Sequence, residues 1–182
     1  PCFALTEPGA GSDAANLSSS GVVERARDGS LTIRLNWRKR YTTLSSVSTV
    51  IGMAFRLRDP QKLLGGAEDL GITVALVPGD TPGITRGALH DPLGVPFLNG
   101  PHEGHDVVVP LDDAIIGGRA QAGRGWKMLM DCLAAGRGMG LPAMTTGMAK
   151  AGCRFAGAYA RVRRQFGMPV GRFEGVQEPL AR

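Results

Sequence analysis

The sequence predicts a β + α chain, in which an antiparallel β-barrel or sandwich is followed by helices of an incomplete helical bundle. Two observations support this. Residues 31–37 alternate apolar and polar side chains with a period of two, which is typical of a half-buried strand. After the glycine pair at 117–118, apolar residues recur instead at helical spacing. We therefore predict a β-domain over 1–122 and the start of a helical domain over 123–182.

The β-domain is predicted from short strands separated by turn residues. A first short strand precedes Pro8, which offers no N–H group to a ladder. Further strands are predicted at 31–37, 48–57, 72–78, 84–89 and 104–110. Clusters of Pro, Gly, Asp and Asn lie between them, as at 78–83 and 99–101. Strands at this spacing favour a compact antiparallel architecture.

The helical part is predicted as two stretches. The first runs from about Trp126 to Leu133, and the second from about Leu141 to Arg164. The second is dense in Gly and Ala, although each interior Gly costs about 1 kcal/mol relative to Ala. This composition predicts close packing against further helices of a bundle, which we expect in a larger protein.

Composition indicates a globular chain. Its 182 residues are 43% hydrophobic and 20% charged, with a formal net charge of +5. The three cysteines form no CxxC pair, which favours a reducing compartment. His102 and His105 have no third ligand beside them in the sequence, so no metal site is expected.

The loop at residues 8–13, Pro-Gly-Ala-Gly-Ser-Asp, is the first candidate for binding. Gly9 and Gly11 permit close approach of a ligand to the backbone, and Ser12 adds a hydroxyl and an N–H group. Such a turn can direct several N–H groups at one anion, such as a pyrophosphate. An ordinary turn between strands is the alternative.

Two basic clusters have simpler alternatives. The run 37–43, Trp-Arg-Lys-Arg-Tyr-Thr-Thr, could be a nucleic-acid patch. Strand alternation would place Lys39, Tyr41 and Thr43 on one face and divide the charges between the two faces, so we expect no nucleic-acid partner. The run 163–167 could be a helix C-terminus that favours cations, with Gly167 as its C′ residue.

The literal sequence adds a family resemblance. Residues 4–13, Ala-Leu-Thr-Glu-Pro-Gly-Ala-Gly-Ser-Asp, resemble without a gap the flavin-binding signature of the middle β-domain of acyl-CoA dehydrogenases. Nearly the whole chain is similar to that family, including Asp-Val-Val-Val-Pro at 106–110, Gly-Arg-Gly-Trp-Lys at 123–127 and Arg-Gln-Phe-Gly at 164–167. The resemblance implies FAD as cofactor.

The same resemblance implies roles for individual residues. Tyr41 would cover one face of the isoalloxazine ring, and the Thr43 hydroxyl would donate to flavin N5. Arg163 and Phe166 would reach the FAD of a neighbouring subunit. The full set of implied FAD contacts is Phe3, Leu5, Thr6, Gly11, Ser12, Tyr41, Thr42, Thr43, Arg163 and Phe166. Ser12 and Arg137 would line the acyl-CoA site.

The implied reaction is α,β-dehydrogenation of an acyl-CoA thioester. Patterns such as Leu-Leu-Gly-Gly at 63–66 look most like the larger bacterial enzymes of fatty acid β-oxidation, which implies medium- or long-chain substrates. No catalytic residue is assigned in this chain. The glutamate base of most relatives would lie beyond Arg182, and the alternative position before the pocket arginine is Gly136. We therefore expect an excised segment that is inactive by itself.

The resemblance also implies partners and location. An electron-transfer flavoprotein or a similar acceptor would take the electrons, and the full-length protein would form a homodimer or homotetramer. We expect it in the cytoplasm or associated with a membrane. Two other readings stay open: an acyl-CoA oxidase-like flavoenzyme of the same fold, and a β-barrel interaction module that binds no flavin.

Overall fold

The computed structural model describes residues 1–95 and 97–181. It divides into two compact units, Pro1–Leu129 and Met130–Arg182. Arg182, the last residue of the predicted helical domain, lies outside the described residues. The predicted domain ranges 1–122 and 123–182 stay a prediction.

The first unit is built on one seven-stranded sheet. The strands are β1 Cys2–Ala4, β2 Ser20–Arg25, β3 Leu31–Thr43, β4 Val50–Arg58, β5 Asp69–Pro78, β6 Ile84–Arg86 and β7 Asn99–Pro110. Strand β4 pairs with β5 along one edge and with β1 and then β2 along the other. Beyond β2 the sheet continues through β3 and β7 to β6.

The predicted combination of a β-sheet and helices is confirmed, but barrel closure is wrong. Within residues 1–95 and 97–181, no strand pairing joins β5 to β6. Strand β6 has only three residues, and the outer edge of β5 is met by the Ala75–Ile115 bridge. The sheet is also mixed rather than wholly antiparallel, because β1 and β2 both run parallel to β4.

Alternation along β3 builds the core of the first unit. Ile33, Leu35 and Trp37 point inwards and are buried, together with Phe55 on β4 and Val107 on β7. Fully burying an apolar side chain of this size contributes about 1.5–3 kcal/mol. This packing holds the ladder between β3 and β7, on which the candidate site depends.

The helices are α1 Leu111–Ala114, α2 Gly125–Val162 and α3 Glu174–Ala181. The two predicted helical stretches form the single helix α2, which continues through Pro142. Beside that proline, the Thr145 hydroxyl donates to the main-chain carbonyls of Leu141 and Pro142 at 3.1 and 3.0 Å. Among the described residues, no helix combines the length and apolar character needed to span a membrane.

A short hairpin follows α2. Its strands are β8 Arg164–Gln165 and β9 Met168–Pro169, and its turn residues Phe166 and Gly167 have φ angles of 52° and 77°. Two successive residues with positive φ are the signature of a type I′ turn. The interpretation of Gly167 as a helix C′ residue is therefore wrong, because α2 ends at Val162.

Candidate functional site

A buried ion pair joins the two sequence segments that carry the candidate site. Lys39 Nζ lies 2.7 Å from Glu7 Oε1, and both side chains are almost completely buried. The same ammonium donates to the main-chain carbonyl of Leu5 at 3.0 Å. Residues 5–7 are thereby fixed to the inner side of β3.

Glu7 also holds the far end of its own loop. Its carboxylate accepts hydrogen bonds from the Ser18 N–H and hydroxyl, at 2.7 and 2.5 Å, and from the Ser19 N–H at 3.1 Å. Burial alone would raise the pKa of Glu7, but the bonds from Lys39, Ser18 and Ser19 lower it to about 2. The carboxylate therefore stays ionised and anchors both ends of the segment between Glu7 and Ser18.

The loop between these anchors turns tightly and then opens to solvent. The N–H groups of Glu7 and Ala10 each donate to the other's carbonyl, at 3.1 and 3.2 Å. Gly11 and Ser12 follow and are exposed. Among the described residues, nothing hydrogen-bonds to their N–H groups or to the Ser12 hydroxyl. These donors are open to an external anion.

Among the described residues, no contact and no backbone angle requires position 11 to be glycine. Its φ is not positive, and a Cβ built there would meet no atom within 4 Å. A side chain would instead project into the open space beside Ser12. This open space leaves room for a ligand to approach the backbone closely.

A β-bulge sets the direction of the second segment. The pairing of β3 with β7 shifts between Lys39 and Thr42, so that Tyr41 is the extra residue, with a φ of 60°. Tyr41 and Thr43 are exposed, whereas Lys39 and Thr42 are buried. The prediction that Lys39 shares a face with Tyr41 and Thr43 is therefore wrong, because the bulge breaks the alternation.

Thr42, one of the residues predicted to contact the cofactor, has a side chain that points inwards. Its hydroxyl is buried and has no hydrogen-bond partner in the described part of the chain. Its main chain pairs with Gly100, and its carbonyl accepts from the Ser45 N–H. Any contribution of Thr42 to the exposed face is therefore through the backbone.

The two segments meet along the main chain. The Arg40 N–H donates to the Thr6 carbonyl at 3.1 Å, one residue before Tyr41. Phe3 is 40% exposed, and its ring lies over Gly52, where a Cβ would approach it to 3.0 Å. Phe3, Leu5 and Thr6 thus lie on the segment that runs beside the bulge of β3.

The basic residues 38–40 point in separate directions. Arg38 pairs with Glu103 at 3.0 Å, and Lys39 is buried against Glu7. The Arg40 guanidinium lies over the Tyr41 ring, 4.3 Å from its centroid, and donates to the Tyr41 hydroxyl. The three cations therefore form no continuous stripe.

The histidines are engaged in other contacts. His102 Nδ1 accepts from the indole N–H of Trp37 at 2.9 Å, so Nε2 carries the proton of the neutral ring. Burial, with added repulsion from Lys39 and Arg86, lowers the pKa of His102 to about 4. Among the described residues, no group of three His, Cys, Asp or Glu side chains is arranged to hold a metal.

The second unit carries three predicted site residues. Arg137 lies on α2 and is exposed. Arg163 follows α2, and its main chain bonds to Tyr159 and Val170. Phe166 is 91% exposed at the hairpin turn, with its ring edge-on to Phe173 at 6.1 Å. Each side chain is open to a ligand or a partner.

Sequence reasoning missed Glu7 and Lys39 as the residues that hold the site together. The signal was the period of β3, which places Lys39 on the same inward face as Leu35 and Trp37. A lysine at such a position requires a buried partner. No comparable pattern indicates that the partner is Glu7.

The loop at residues 8–13 and the bulged strand β3 lie in the part of the chain that matches a known family. Residues 2–105 match the family described as "Acyl-CoA dehydrogenase, middle domain", and residues 123–182 match "Acyl-CoA dehydrogenase, C-terminal domain". The chain belongs to the acyl-CoA dehydrogenase family.

Individual relatives agree with this assignment over different lengths. Rat mitochondrial short-chain specific acyl-CoA dehydrogenase is 32% identical over 184 residues, covering 99% of this chain and 40% of the rat protein. Protein HemX of Proteus mirabilis is 51% identical over 105 residues, covering 58% of this chain and 61% of HemX. The chain thus spans less than two thirds of the length of either relative.

Solved structures agree in fold. An acyl-CoA dehydrogenase from Geobacillus kaustophilus superposes with a TM-score of 0.76 at 30% identity, covering 99% of this chain and 44% of that one. An acyl-CoA dehydrogenase complexed with FAD from Bacillus anthracis gives 0.75 at 26% identity, with 99% and 28% coverage.

Proposed function

We propose that this chain is the flavin-binding segment of an FAD-dependent acyl-CoA dehydrogenase of fatty acid β-oxidation. The observation that carries the proposal is the open set of donors at Gly11 and Ser12, held by one buried ion pair beside an exposed aromatic ring and hydroxyl at Tyr41 and Thr43. Donors open to an anion, together with an exposed aromatic ring and hydroxyl, match the pyrophosphate and the isoalloxazine ring of a flavin dinucleotide.

The residues present fit this cofactor. Gly11 and Ser12 would hold the pyrophosphate through N–H groups that have no partner among the described residues. Tyr41 would cover the isoalloxazine ring, with Phe3, Leu5, Thr6 and the Thr42 backbone beside it. The Thr43 hydroxyl accepts from Asn99 at 3.3 Å and keeps its own proton to donate. When bound, FAD would supply hydride acceptance at N5.

The substrate would be the thioester of a medium- or long-chain acyl-CoA. The family resemblance implies that Ser12 and Arg137 line its site, and each side chain is exposed within its own unit. A carboxylate base is needed to remove the α-proton, and the position before Arg137 is Gly136. We place the base outside residues 1–182, so this chain by itself would bring about no turnover.

The exposed hairpin would serve assembly. Phe166 presents an almost fully exposed ring on a turn with positive φ, and Arg163 lies at its base. An exposed aromatic side chain next to a cation suits contact with a flavin bound mainly by a second subunit. A homodimer or homotetramer would follow, and an electron-transfer flavoprotein would take the electrons.

Anaerobic titration tests the substrate class. The protein that carries this chain would be purified, and palmitoyl-CoA, octanoyl-CoA and butyryl-CoA would be added in turn without oxygen. Bleaching of the bound flavin by the two longer thioesters in preference to butyryl-CoA is expected. Bleaching by butyryl-CoA alone would contradict the proposed chain length and leave the reaction class intact.

Admitting air to the reduced protein separates the dehydrogenase from an oxidase. Slow return of the yellow colour is expected for an enzyme that passes electrons to a protein acceptor. Rapid reoxidation would favour the oxidase-like alternative instead. Turnover by residues 1–182 expressed alone would contradict the placement of the base.

A further inference from the structure

Asn99 lies directly opposite Thr43 in the ladder between β3 and β7. It is 8% exposed, and its amide Nδ2 donates to Thr43 Oγ1 at 3.3 Å. A hydroxyl has one proton and two lone pairs. Because this bond uses a lone pair of Thr43, the hydroxyl proton stays available for an acceptor outside the chain.

The other end of the Asn99 amide meets His90. Asn99 Oδ1 lies 2.8 Å from His90 Nδ1, and the His90 N–H donates to the Asn99 carbonyl at 2.7 Å. The His90 ring also packs against the Tyr41 ring, with centroids 4.9 Å apart. His90 is therefore held by three contacts, two of them with Asn99.

In the orientation that the Asn99 amide has here, its oxygen faces His90 and its NH2 group faces Thr43. An amide oxygen only accepts, so His90 Nδ1 must carry the proton that points at Asn99. If Nδ1 were unprotonated, the amide would turn over and present its oxygen to Thr43. The Thr43 hydroxyl would then donate its proton to Asn99 Oδ1 and could not donate it to an acceptor outside the chain.

We propose that His90 and Asn99 are positioning residues that aim the hydroxyl proton of Thr43 at flavin N5. His90 orients the amide of Asn99, and the amide leaves Thr43 as a donor to the exposed side. This inference rests on the proposed function, because it assigns a task to the Thr43 hydroxyl that only a bound flavin requires. Both residues act through Thr43.

The test follows N5 itself, in the protein that carries this chain, loaded with isotope-labelled FAD. The NMR resonance of N5 moves upfield when this atom accepts a hydrogen bond. Thr43→Val removes the donor and is expected to move the resonance downfield. Asn99→Asp offers only acceptors, so Thr43 would donate to the carboxylate, and the same downfield shift is expected.

The double variant Thr43→Val, Asn99→Asp distinguishes the direction of the Thr43 hydrogen bond from the effect of the added negative charge. In the Thr43→Val background, Asn99→Asp is expected to cause no further shift. An additional shift there would mean that the carboxylate acts on the flavin directly, which would overturn the proposal. Loss of one hydrogen bond also predicts about 2- to 10-fold weaker FAD binding in either single variant.

His90 provides a second, independent pair of variants, which keeps the test decisive if Asn99→Asp does not fold. His90→Asn places an amide N–H close to the position of Nδ1 and is expected to keep the wild-type resonance. His90→Leu removes the donor and is expected to shift it towards the Thr43→Val value.

The outcomes distinguish this inference from the proposed function. A wild-type protein that retains no FAD would overturn both. A protein that binds FAD and responds to Thr43→Val, but not to Asn99→Asp or His90→Leu, would overturn the positioning role alone. An N5 resonance that does not respond to Thr43→Val would show that Thr43 is not the donor, and the inference would fall with it.

Discussion

Glu7 and Lys39 determine the geometry of the candidate site at the scale of single residues. Each is a charged group that burial would disfavour, and each has the other as its main compensation. The pair links residues 5–7 to β3, while Ser18 and Ser19 close the loop behind it. A substitution that removes either charge should therefore change both the free energy of unfolding and the conformation of the loop.

Breaking this ion pair on one side should cost more than removing it whole. Lys39→Met leaves a buried carboxylate without its cation, and we expect about 3–5 kcal/mol loss in the free energy of unfolding. Adding Glu7→Gln should recover part of that loss, because no buried charge remains. Urea unfolding of the two single variants and the double variant measures the coupling. If the loss of unfolding free energy in the double variant equals the sum of the losses in the two single variants, the two residues are not coupled and this prediction is wrong.

Glu7 should also make stability depend on acidity. Its pKa falls from 4.5 to about 2 on folding, so the unfolded chain binds the proton more tightly. The stabilisation is complete above pH 4.5 and is lost as the pH falls from there towards about 2, by about 3 kcal/mol in total. Unfolding free energies measured across this range should fall more steeply in the wild type than in Glu7→Gln. An equal dependence of unfolding free energy on pH in the two proteins would contradict the lowered pKa of Glu7.

The orientation of single side chains on β3 could be predicted only in part from the sequence. The strand period correctly places Tyr41 and Thr43 together, but it wrongly adds Lys39 to that face. The error comes from the bulge, whose position depends on pairing with His102 and Gly100 on a strand about sixty residues away. Local alternation carries no information about such a shift in register.

At the scale of elements, the ladder between β3 and β7 is the frame of the site. Trp37 packs across Gly104, where an added Cβ would lie 2.2 Å from the indole ring. The bulge near the Thr43–Asn99 end of the same ladder turns Tyr41 and Thr43 outwards. Strand pairing and site geometry are thus properties of one element pair.

Two glycine substitutions should separate stability from binding. Gly104→Ala forces a methyl group into the Trp37 ring, and we expect a loss of about 1–3 kcal/mol in unfolding free energy. Gly11→Ala meets open space, so its stability should stay within about 0.5 kcal/mol of wild type while FAD binding weakens. Urea unfolding and flavin titration of both variants measure this. Equal effects of the two on stability would contradict it.

Elements with a clear period could be predicted, and others could not. Strands β3, β4, β5, β6 and β7 each overlap a predicted strand, and β1 lies on the short strand predicted before Pro8. Strand β2 was missed because its buried positions are Gly21 and Val23, and glycine is a poor strand residue. Gly21 is needed because a Cβ there would lie 2.5 Å from the Phe55 ring, a contact that a local pattern does not reveal.

At the scale of the whole molecule, the sheet brings together segments that are far apart in sequence. Residues 5–7 and 39–40 meet through the buried ion pair and the bond from Arg40 to Thr6, while Asn99 reaches Thr43 from β7. Family membership agrees with this arrangement over residues 2–105. These contacts bring the segment that leads into the open loop next to the segment that carries Tyr41, and we propose that the two segments together bind a flavin dinucleotide.

Flavin retention tests this central claim most directly. The protein that carries this chain would be purified, passed through a desalting column, and its visible spectrum recorded before and after incubation with FAD. We predict one tightly held FAD per chain, with markedly weaker retention in Gly11→Val, whose side chain fills the space beside Ser12. A correctly folded wild-type protein that stays colourless after incubation with FAD would contradict the account.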